Sequence, residues 1–203
     1  MRKLVPCVVV AVAAIVAAVL ASPAAAASGG GCQLQGNATF SPPLTNNNSA
    51  FTYGFTGDLT GCKSSDATAP ATGKAEAGQV VTDPSGEQFQ EPVPTGQGSC
   101  GSGTTDGTAI ANWADGTVTV ISYHTDAAAA VVHLTGTVIP SVTLPAINPQ
   151  PGQPTSKTIT TTRDAGQSAQ GVLGFQPPDP TACAGSGVTS AGINGFVGLG
   201  TAS

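Results

Sequence analysis

The stretch TAIANWADGTVTVISY at residues 108–123 decides the fold class of this chain of 203 residues. Apolar and polar residues alternate on both sides of Asp115 and Gly116. An Asp-Gly pair between two alternating runs is the strongest short-range signal of a β-hairpin. The sequence therefore predicts two antiparallel strands here, joined by a tight turn.

Similar short segments flank this hairpin on both sides. They lie at residues 32–40, 51–62, 74–81, 129–139, 155–162, 168–175 and 188–199. Turn-forming residues separate them, and residues 63–73, 83–106 and 140–154 are expected to be loops. The abundant threonine favours strands, and the apolar runs argue against disorder as the reading of so much Gly, Pro and Ser. We expect an all-β fold, an antiparallel β-sandwich or barrel of about 8–9 strands.

Residues 1–27 have the pattern of a signal peptide for export, which would form an N-terminal signal helix. Arg2 and Lys3 precede an uncharged run at residues 4–20, and small residues continue to Ala27. We expect cleavage after Ala27. Residues 28–203 would then form a single disulfide-stapled β domain that is secreted, with no membrane attachment after cleavage.

Two alternatives to cleavage concern the membrane. The apolar run is near the lower length limit for a spanning helix, so a retained anchor is the first alternative. A lipoprotein acylated at Cys32 is the second, but the three glycines before Cys32 lack the branched apolar residue of such a signal. We favour the cleaved, extracellular form, with association to the cell wall as a variant of it.

Cysteine usage agrees with export. Cys7 is removed with the signal peptide, and the cysteines that remain are Cys32, Cys62, Cys100 and Cys183. Four cysteines in an exported protein indicate two disulfides, with three possible pairings. We favour Cys32–Cys62, because a hairpin centred near Asn47 would bring these two together, and Cys100–Cys183 follows by elimination. No two of the four have the close spacing of a zinc site.

The charge balance excludes one class of partner. Without residues 1–27 the chain has eleven acidic residues against four basic ones, a net charge near −7. Binding of nucleic acid needs clustered Lys and Arg to neutralise phosphates. We therefore expect no nucleic-acid partner and no attraction to an anionic membrane surface.

The chain has two histidines, His124 and His133. Val118 and Val120 share the strand parity of His124, whereas Leu134 has the opposite parity to His133. If both apolar sets face one core, the histidines point to opposite sides of the sheet. A joint metal site or catalytic dyad is then not expected, unless a bulge near the turn brings the two together.

Other residues that could carry chemistry have a simpler interpretation. Asp106, Asp115 and Asp126 could supply the paired carboxylates of a glycosidase, but acids at strand ends usually form turns. Trp113 could bind a sugar ring, but a single tryptophan usually belongs to a core. Threonine ladders lie at residues 117–119, 135–137 and 158–160, where we expect a solvated sheet face and keep a glycan-binding face as the alternative.

The sequence contains no nucleophile elbow, zinc-protease motif or phosphate-binding loop. We therefore assign it no catalytic residue, no cofactor and no metal site. Four cysteines, Cys32, Cys62, Cys100 and Cys183, are the only site residues that the sequence predicts.

Three patches stand out in the sequence. They are CQLQGNATFSPPL at residues 32–44, with Cys62 closing the next strand, GTAIANWADGT at residues 107–117, and GVTSA at residues 187–191. Together they resemble a family of small exported actinobacterial proteins that are β-rich and have four cysteines. The resemblance implies export, two disulfides and a β-rich fold. The family has no established function, so no catalytic residue carries over.

The sequence thus predicts a secreted, non-enzymatic binding or cell-envelope protein, with a cell-wall glycan or another extracellular protein as partner. An exposed apolar patch would favour binding. A small extracellular hydrolase is the first alternative, and a concave pocket holding His124 beside Asp126 or Asp115 would favour it. An extracellular inhibitor with a rigid exposed loop at residues 84–99 is the second.

Overall fold

The computed structural model describes residues 29–200, and the predicted signal peptide lies outside them. The regular secondary structure of these residues consists of β-strands and one short 3-10 helix. Its strands are β1 Gly29–Leu44, β2 Ser49–Ser64, β3 Gly73–Ala77, β4 Val80–Thr82, β5 Gln88–Gln90, β6 Thr95–Gly98, β7 Ser102–Trp113, β8 Val118–Ala128, β9 Val131–Ile139, β10 Ser141–Pro145, β11 Ser156–Thr160, β12 Ser168–Gln176 and β13 Val188–Gly200. A 3-10 helix, Pro180–Ala184, precedes β13. No helix of the described residues has the length and apolarity needed to cross a membrane.

The large sheet closes on itself into an antiparallel barrel. Its strands follow the order β1–β13–β12–β9–β8–β7–β3–β2, and β2 pairs in turn with β1. Closure pairs both edges of the sheet, which an open sheet would leave exposed. The all-β prediction is confirmed, and of the two architectures that it left open the structure has the barrel. We call the end where β1 begins the upper end, and the end where β1 finishes the lower end.

One of the eight wall positions is shared by two short strands. Between β2 and β7, β3 fills the upper half and β6 fills the lower half. The chain leaves the wall at Gly78, whose φ of 71° suits glycine, and returns at Pro94. At the base of this excursion Glu91 is buried and accepts a hydrogen bond from the Gln79 N–H at 3.0 Å. Because β3 and β6 together fill one wall position, the barrel wall stays continuous although the chain leaves it between residues 78 and 94.

Side chains alternate between the lumen and the outside, as the sequence pattern predicted. In β1, Cys32, Leu34 and Ala38 are buried inside the barrel, whereas Gln33 and Gln35 are exposed. Strand geometry requires this alternation wherever one face is buried. The lumen is therefore built from every second residue of each wall strand.

A smaller layer covers one side of the barrel from outside. It consists of the hairpins β4–β5 and β10–β11, which a bridge between Phe89 and Ala146 connects. Phe89 and Leu144 of this layer share a buried cluster with Ile110 of β7. Val120 is the register partner of Ile110 on β8 and is also fully buried. The wall is therefore apolar on both faces beneath the outer layer.

Some segments expected to be loops contain strands. Residues 83–106 include β5, β6 and the start of β7, and residues 140–154 include β10. The single strand expected at residues 74–81 is divided into β3 and β4 by the turn at Gly78. β4, β5, β6 and β10 have only three to five residues each. Strands this short contain too few residues for the alternation of apolar and polar side chains to be recognised. They also depend on pairing with strands that are distant in the sequence.

One disulfide lies toward each end of the barrel. Cys32 and Cys62 join β1 to β2 toward the upper end. Cys100 and Cys183 join the turn between β6 and β7 to the 3-10 helix at the lower end. These are the two pairs favoured from the sequence.

Candidate functional site

The barrel encloses a cavity of about 240 Å³ along its lumen. The lining comes from β1, β2, β3, β7, β8, β9, β12 and β13 and is mostly apolar. It includes Leu34, Phe55, Ile121, Leu134, Leu173 and Val197. Small-molecule sites of β-barrels lie inside the barrel or at its mouth. The lumen is therefore the candidate binding site.

Small side chains on the lining leave space inside the lumen. Nine alanines contribute, and they include Ala75, Ala109, Ala111, Ala127 and Ala169. The larger rings gather toward the lower end, where Phe40 contacts Phe51, Tyr53 and Phe175 with ring centroids 5.9, 6.1 and 5.9 Å away. Aromatic rings therefore line the lower part of the cavity, and the small side chains leave the room that a guest molecule would occupy.

Four hydroxyl groups form a hydrogen-bonded chain on the lumen wall. Tyr53 Oη lies 2.6 Å from Tyr123 Oη and 3.1 Å from Thr105 Oγ1. Thr105 Oγ1 lies 2.7 Å from Thr125 Oγ1, its direct partner across β7 and β8. All four side chains line the cavity, and we call them the hydroxyl chain.

A glycine makes room for this chain. Gly107 is the register partner of Tyr123, and a Cβ atom at Gly107 would lie 2.6 Å from Tyr123 Oη. Any larger residue would displace the phenol from its hydrogen bond with Tyr53. The position of the hydroxyl chain thus depends on a residue that has no side chain itself.

The two phenols of the hydroxyl chain are neutral at physiological pH. Burial raises the pKa of Tyr53, although its hydrogen bonds to Thr105 and Tyr123 oppose this effect. Burial raises the pKa of Tyr123 well above its ordinary value, and the neighbouring Tyr53 adds to the shift. The chain can therefore donate and accept hydrogen bonds without carrying charge.

Polar side chains cover the upper end of the lumen. Trp113 Nε1 donates a hydrogen bond of 2.8 Å to Thr119 Oγ1, which in turn donates to the Arg163 carbonyl at 3.2 Å. Asp164 also lines the cavity here and has a φ of 63°, which is uncommon for a residue with a side chain. Partial burial raises the pKa of Asp164, and the positive charge of Arg163 acts against that rise.

Arg163 ties three loops together at the upper end. Its Nη1 donates to Asp66 at 3.0 Å, its Nη2 to Asp115 at 3.1 Å, and its Nε to Thr117 at 3.2 Å. We call Arg163, Asp66 and Asp115 the Arg163 clamp. Hydrogen bonds from Thr68 and Thr117 lower the pKa of Asp66 and Asp115 respectively, and Arg163 lowers both further. Both carboxylates are therefore ionised at neutral pH and hold the guanidinium in place.

His124 lies on the outside of the barrel between two carboxylates. Its Nδ1 is 2.8 Å from Asp106 Oδ1, and its Nε2 is 3.5 Å from Asp126 Oδ2. The hydrogen bond to Asp106 raises the pKa of His124, and the charges of Asp106 and Asp126 add to this. All three side chains are exposed and lie outside the cavity lining. The concave pocket that would favour a hydrolase is therefore not where His124 lies.

The prediction that the histidines point to opposite faces is wrong. Asp126 and His133 are direct partners across β8 and β9, so His133 shares the outer face with His124. The parity argument failed because Val118 and Val120 face the outer layer rather than the lumen. Within residues 29–200, no group of three or more His, Cys, Asp and Glu side chains is arranged so that it could hold a metal ion.

The other sequence candidates are divided between the two faces. Trp113 faces the lumen rather than solvent, and Asp115 belongs to the Arg163 clamp. Thr119 is fully buried, so the ladder at residues 117–119 is not a solvated face. The threonines at 135, 137, 158 and 160 are exposed. A glycan or protein partner for that surface stays a prediction.

The segment expected to form an inhibitor loop contributes one strand to the outer layer and one to the barrel wall. Phe89 is 1% exposed, and β5 and β6 occupy much of residues 84–99. Residues 84–86 form the segment's longest continuous exposed stretch, and Val93 is also exposed. An inhibitor function for this segment stays a prediction.

The outer wall also carries an exposed apolar pair. Phe196 of β13 is 65% exposed and is the register partner of Val172 on β12. Two exposed apolar residues are far smaller than a typical interaction patch. The other exposed large apolar side chains of the described residues are Val80, Val93 and Val131.

Comparison of this chain with family models, curated proteins and solved structures finds no match. The resemblance to small exported actinobacterial proteins stays a prediction. Function is therefore argued from the geometry of the lumen.

Reasoning from the sequence missed the hydroxyl chain and the Arg163 clamp. Tyr53 alternates with Phe51 and Phe55, which signals an inward-facing phenol. Thr105 lies in a segment expected to be irregular, so nothing in the sequence paired it with a tyrosine. Arg163 follows β11 in a loop, and only the closed barrel brings it to Asp66 and Asp115.

Proposed function

We propose that the protein is an exported binding protein that holds a small apolar molecule inside its barrel. The observation that carries this proposal is the apolar cavity of about 240 Å³ in the lumen. An apolar cavity of about 150 Å³ is large enough to bind benzene. Burial of an apolar guest there is favourable, because it removes the apolar surface of both guest and lining from water.

Export is part of this proposal and has two supports. The sequence of residues 1–27 has the charge and apolar pattern of a signal peptide. Two disulfides, Cys32–Cys62 and Cys100–Cys183, are typical of an oxidising compartment. A carrier outside the cell would meet small apolar molecules that are sparingly soluble in water.

The closed barrel favours binding to a preformed site rather than folding of the protein around its guest. Eight wall positions and a disulfide toward each end hold the lumen before any guest arrives. A preformed site avoids the entropic cost of ordering the protein on binding. The protein is thus suited to moderate affinity for a small guest that makes few directed contacts.

Isothermal titration calorimetry of the oxidised protein with naphthalene tests this proposal. We expect one naphthalene to bind per chain and the much larger pyrene not to bind. Ala109→Leu should weaken naphthalene binding at least tenfold, because it fills the lumen. Ala50→Leu makes the same change on the exposed face of β2 and serves as the control.

Circular dichroism and intact mass should show that both variants fold with both disulfides formed. A cavity that takes up neither naphthalene nor its hydroxyl derivative 2-naphthol, or a naphthalene affinity that Ala109→Leu leaves unchanged, would contradict the proposal. Ala127→Leu gives a second filled lumen should Ala109→Leu fail to fold.

A further inference from the structure

The hydroxyl chain places polar atoms in an otherwise apolar lumen. Its order is Tyr123, Tyr53, Thr105 and Thr125, with neighbouring oxygens 2.6, 3.1 and 2.7 Å apart. Within the described residues, the hydrogen bonds of these four side-chain oxygens are to one another. The chain is therefore a small, self-contained polar site on the cavity wall.

A count of protons shows what this site offers. Each of the four hydroxyls has one proton, and the three links of the chain each use one. One O–H proton is thus left without an acceptor inside the chain, whichever way the donors run. Each oxygen also has two lone pairs, which exceed what three links require. The chain offers one donor and spare acceptor sites to a guest.

The charges around the lumen select against an ionised guest. Lys63, Arg163 and Asp164 are the charged residues on the lining, and all three lie at the upper end, whereas the hydroxyl chain lies in the lower half. Arg163 is already bonded to Asp66 and Asp115. A buried ion without a partner is strongly disfavoured, whereas a neutral hydroxyl or carbonyl needs only one hydrogen bond.

We propose that the lumen takes a neutral, mostly apolar molecule with one hydroxyl or carbonyl group, and that the hydroxyl chain binds that group. This inference rests on the proposed function. Scaling from benzene in about 150 Å³ gives a guest of about ten non-hydrogen atoms. Monocyclic and bicyclic alcohols, phenols and ketones have this size and this single polar group.

The test compares by calorimetry three probes that share one ring system: naphthalene, 2-naphthol and 2-naphthoate. We expect 2-naphthol to bind and 2-naphthoate to bind far more weakly than naphthalene. The decisive quantity is the affinity ratio of 2-naphthol to naphthalene, measured on the native protein and on variants. Comparing this ratio between proteins cancels the different hydration of the two probes.

Tyr123→Phe and Thr105→Val each remove one hydroxyl from the chain and keep the side-chain volume. We expect each to lower the ratio about fivefold, the equivalent of about 1 kcal/mol for one net hydrogen bond. Thr104→Val makes the same change on the exposed face of β7 and should leave the ratio unchanged. Thr105→Val keeps the test decisive if Tyr123→Phe fails to fold.

The outcomes separate the two proposals. Naphthalene binding with a ratio that neither variant changes would overturn the role of the hydroxyl chain and leave the proposed function standing. Binding of 2-naphthoate as tight as that of naphthalene would overturn the neutral-guest inference. Failure of both naphthalene and 2-naphthol to bind would overturn the proposed function and this inference together.

Discussion

The hydroxyl oxygens of Tyr53 and Tyr123 lie 2.6 Å apart inside the barrel. These are the only two tyrosines of the chain, so its phenol absorbance reports on this pair alone. Strands β2 and β8 supply the two rings, and both rings line the lumen. A measurement of tyrosine ionisation is thus a measurement of the lumen.

We expect both tyrosines to resist ionisation at pH values where free tyrosine titrates, because burial raises the pKa of each. Near and above pH 10 the unfolded chain then binds fewer protons than the folded one. Stability should fall as pH rises past that point, by up to about 1.4 kcal/mol per pH unit for each tyrosine. Absorbance at alkaline pH, followed together with circular dichroism, checks this. Reversible phenolate formation near pH 10 without unfolding would contradict it.

His124 should titrate above its ordinary pKa because Asp106 bonds its ring. We expect Asp106→Asn to lower the pKa of His124, Asp126→Asn to lower it less, and Asp115→Asn to leave it unchanged. The raised pKa favours the protonated form in the folded state. The contribution of protonated His124 to stability is therefore complete below the ordinary histidine pKa, and it is lost as pH rises through the pKa of His124 in the folded protein.

Proton NMR of the two histidines checks these shifts, with His133→Gln to assign the signals. Equal pKa values of His124 in the native protein and in Asp106→Asn would show that the contact does not persist in solution.

Val120→Ala should destabilise the protein by about 2–3 kcal/mol, since it opens a cavity between wall and outer layer. Val120 is 0% exposed, whereas Val172 is 53% exposed on the same type of strand. Val172→Ala should therefore change stability by less than about 0.5 kcal/mol. Denaturant unfolding of both variants tests the buried second face of β8. Equal costs would show that the outer layer does not cover the wall in solution.

The disulfide between Cys100 and Cys183 should stabilise more than the one between Cys32 and Cys62. They span 83 and 30 residues respectively. In the chain-entropy picture they contribute about 4.6 and 3.6 kcal/mol, so the paired serine variants should differ by about 1 kcal/mol. Urea unfolding measures this difference. Intact mass should show thiols only after reduction, and free thiols before it would disprove the pairing.

Arg163→Gln should speed the release of naphthalene several-fold, because it opens the Arg163 clamp at the upper end. Lys74→Gln removes an exposed cation paired with Glu76 on the outer wall and should leave release unchanged. High salt should also speed release, since ion pairs with exposed acids are screened. Stopped-flow dilution measures these rates. Identical release from both variants would show that the guest leaves by another route.

Much of the fold could be predicted, because apolar and polar residues alternate regularly along the long strands. β1, β2 and the hairpin of β7 and β8 were all indicated by inward-facing apolar residues or by the Asp-Gly turn. Alternation failed where the wall has two buried faces: Val118 and Val120 suggested a lumen-facing set but lie under the outer layer. Parity alone cannot tell which of two cores an apolar residue faces.

The candidate site was harder to predict than the fold. A cavity is a property of the closed barrel, and no local pattern reports the volume that small residues such as Ala109 and Ala127 leave free. The hydroxyl chain depends on register, which places Thr105 opposite Thr125. The disulfide pairs could be predicted, because four cysteines allow only three pairings and the first predicted hairpin favoured one of them.

The wall position shared by β3 and β6 separates two parts of the protein that can change independently. Residues 78–94 leave and rejoin the barrel without altering the number of strands around the lumen. Insertions or exchanges in the exposed turn of β4 and β5 would thus remodel the outer surface, where a partner could be recognised, while the guest chamber keeps its shape. The outer surface and the lumen can therefore change separately.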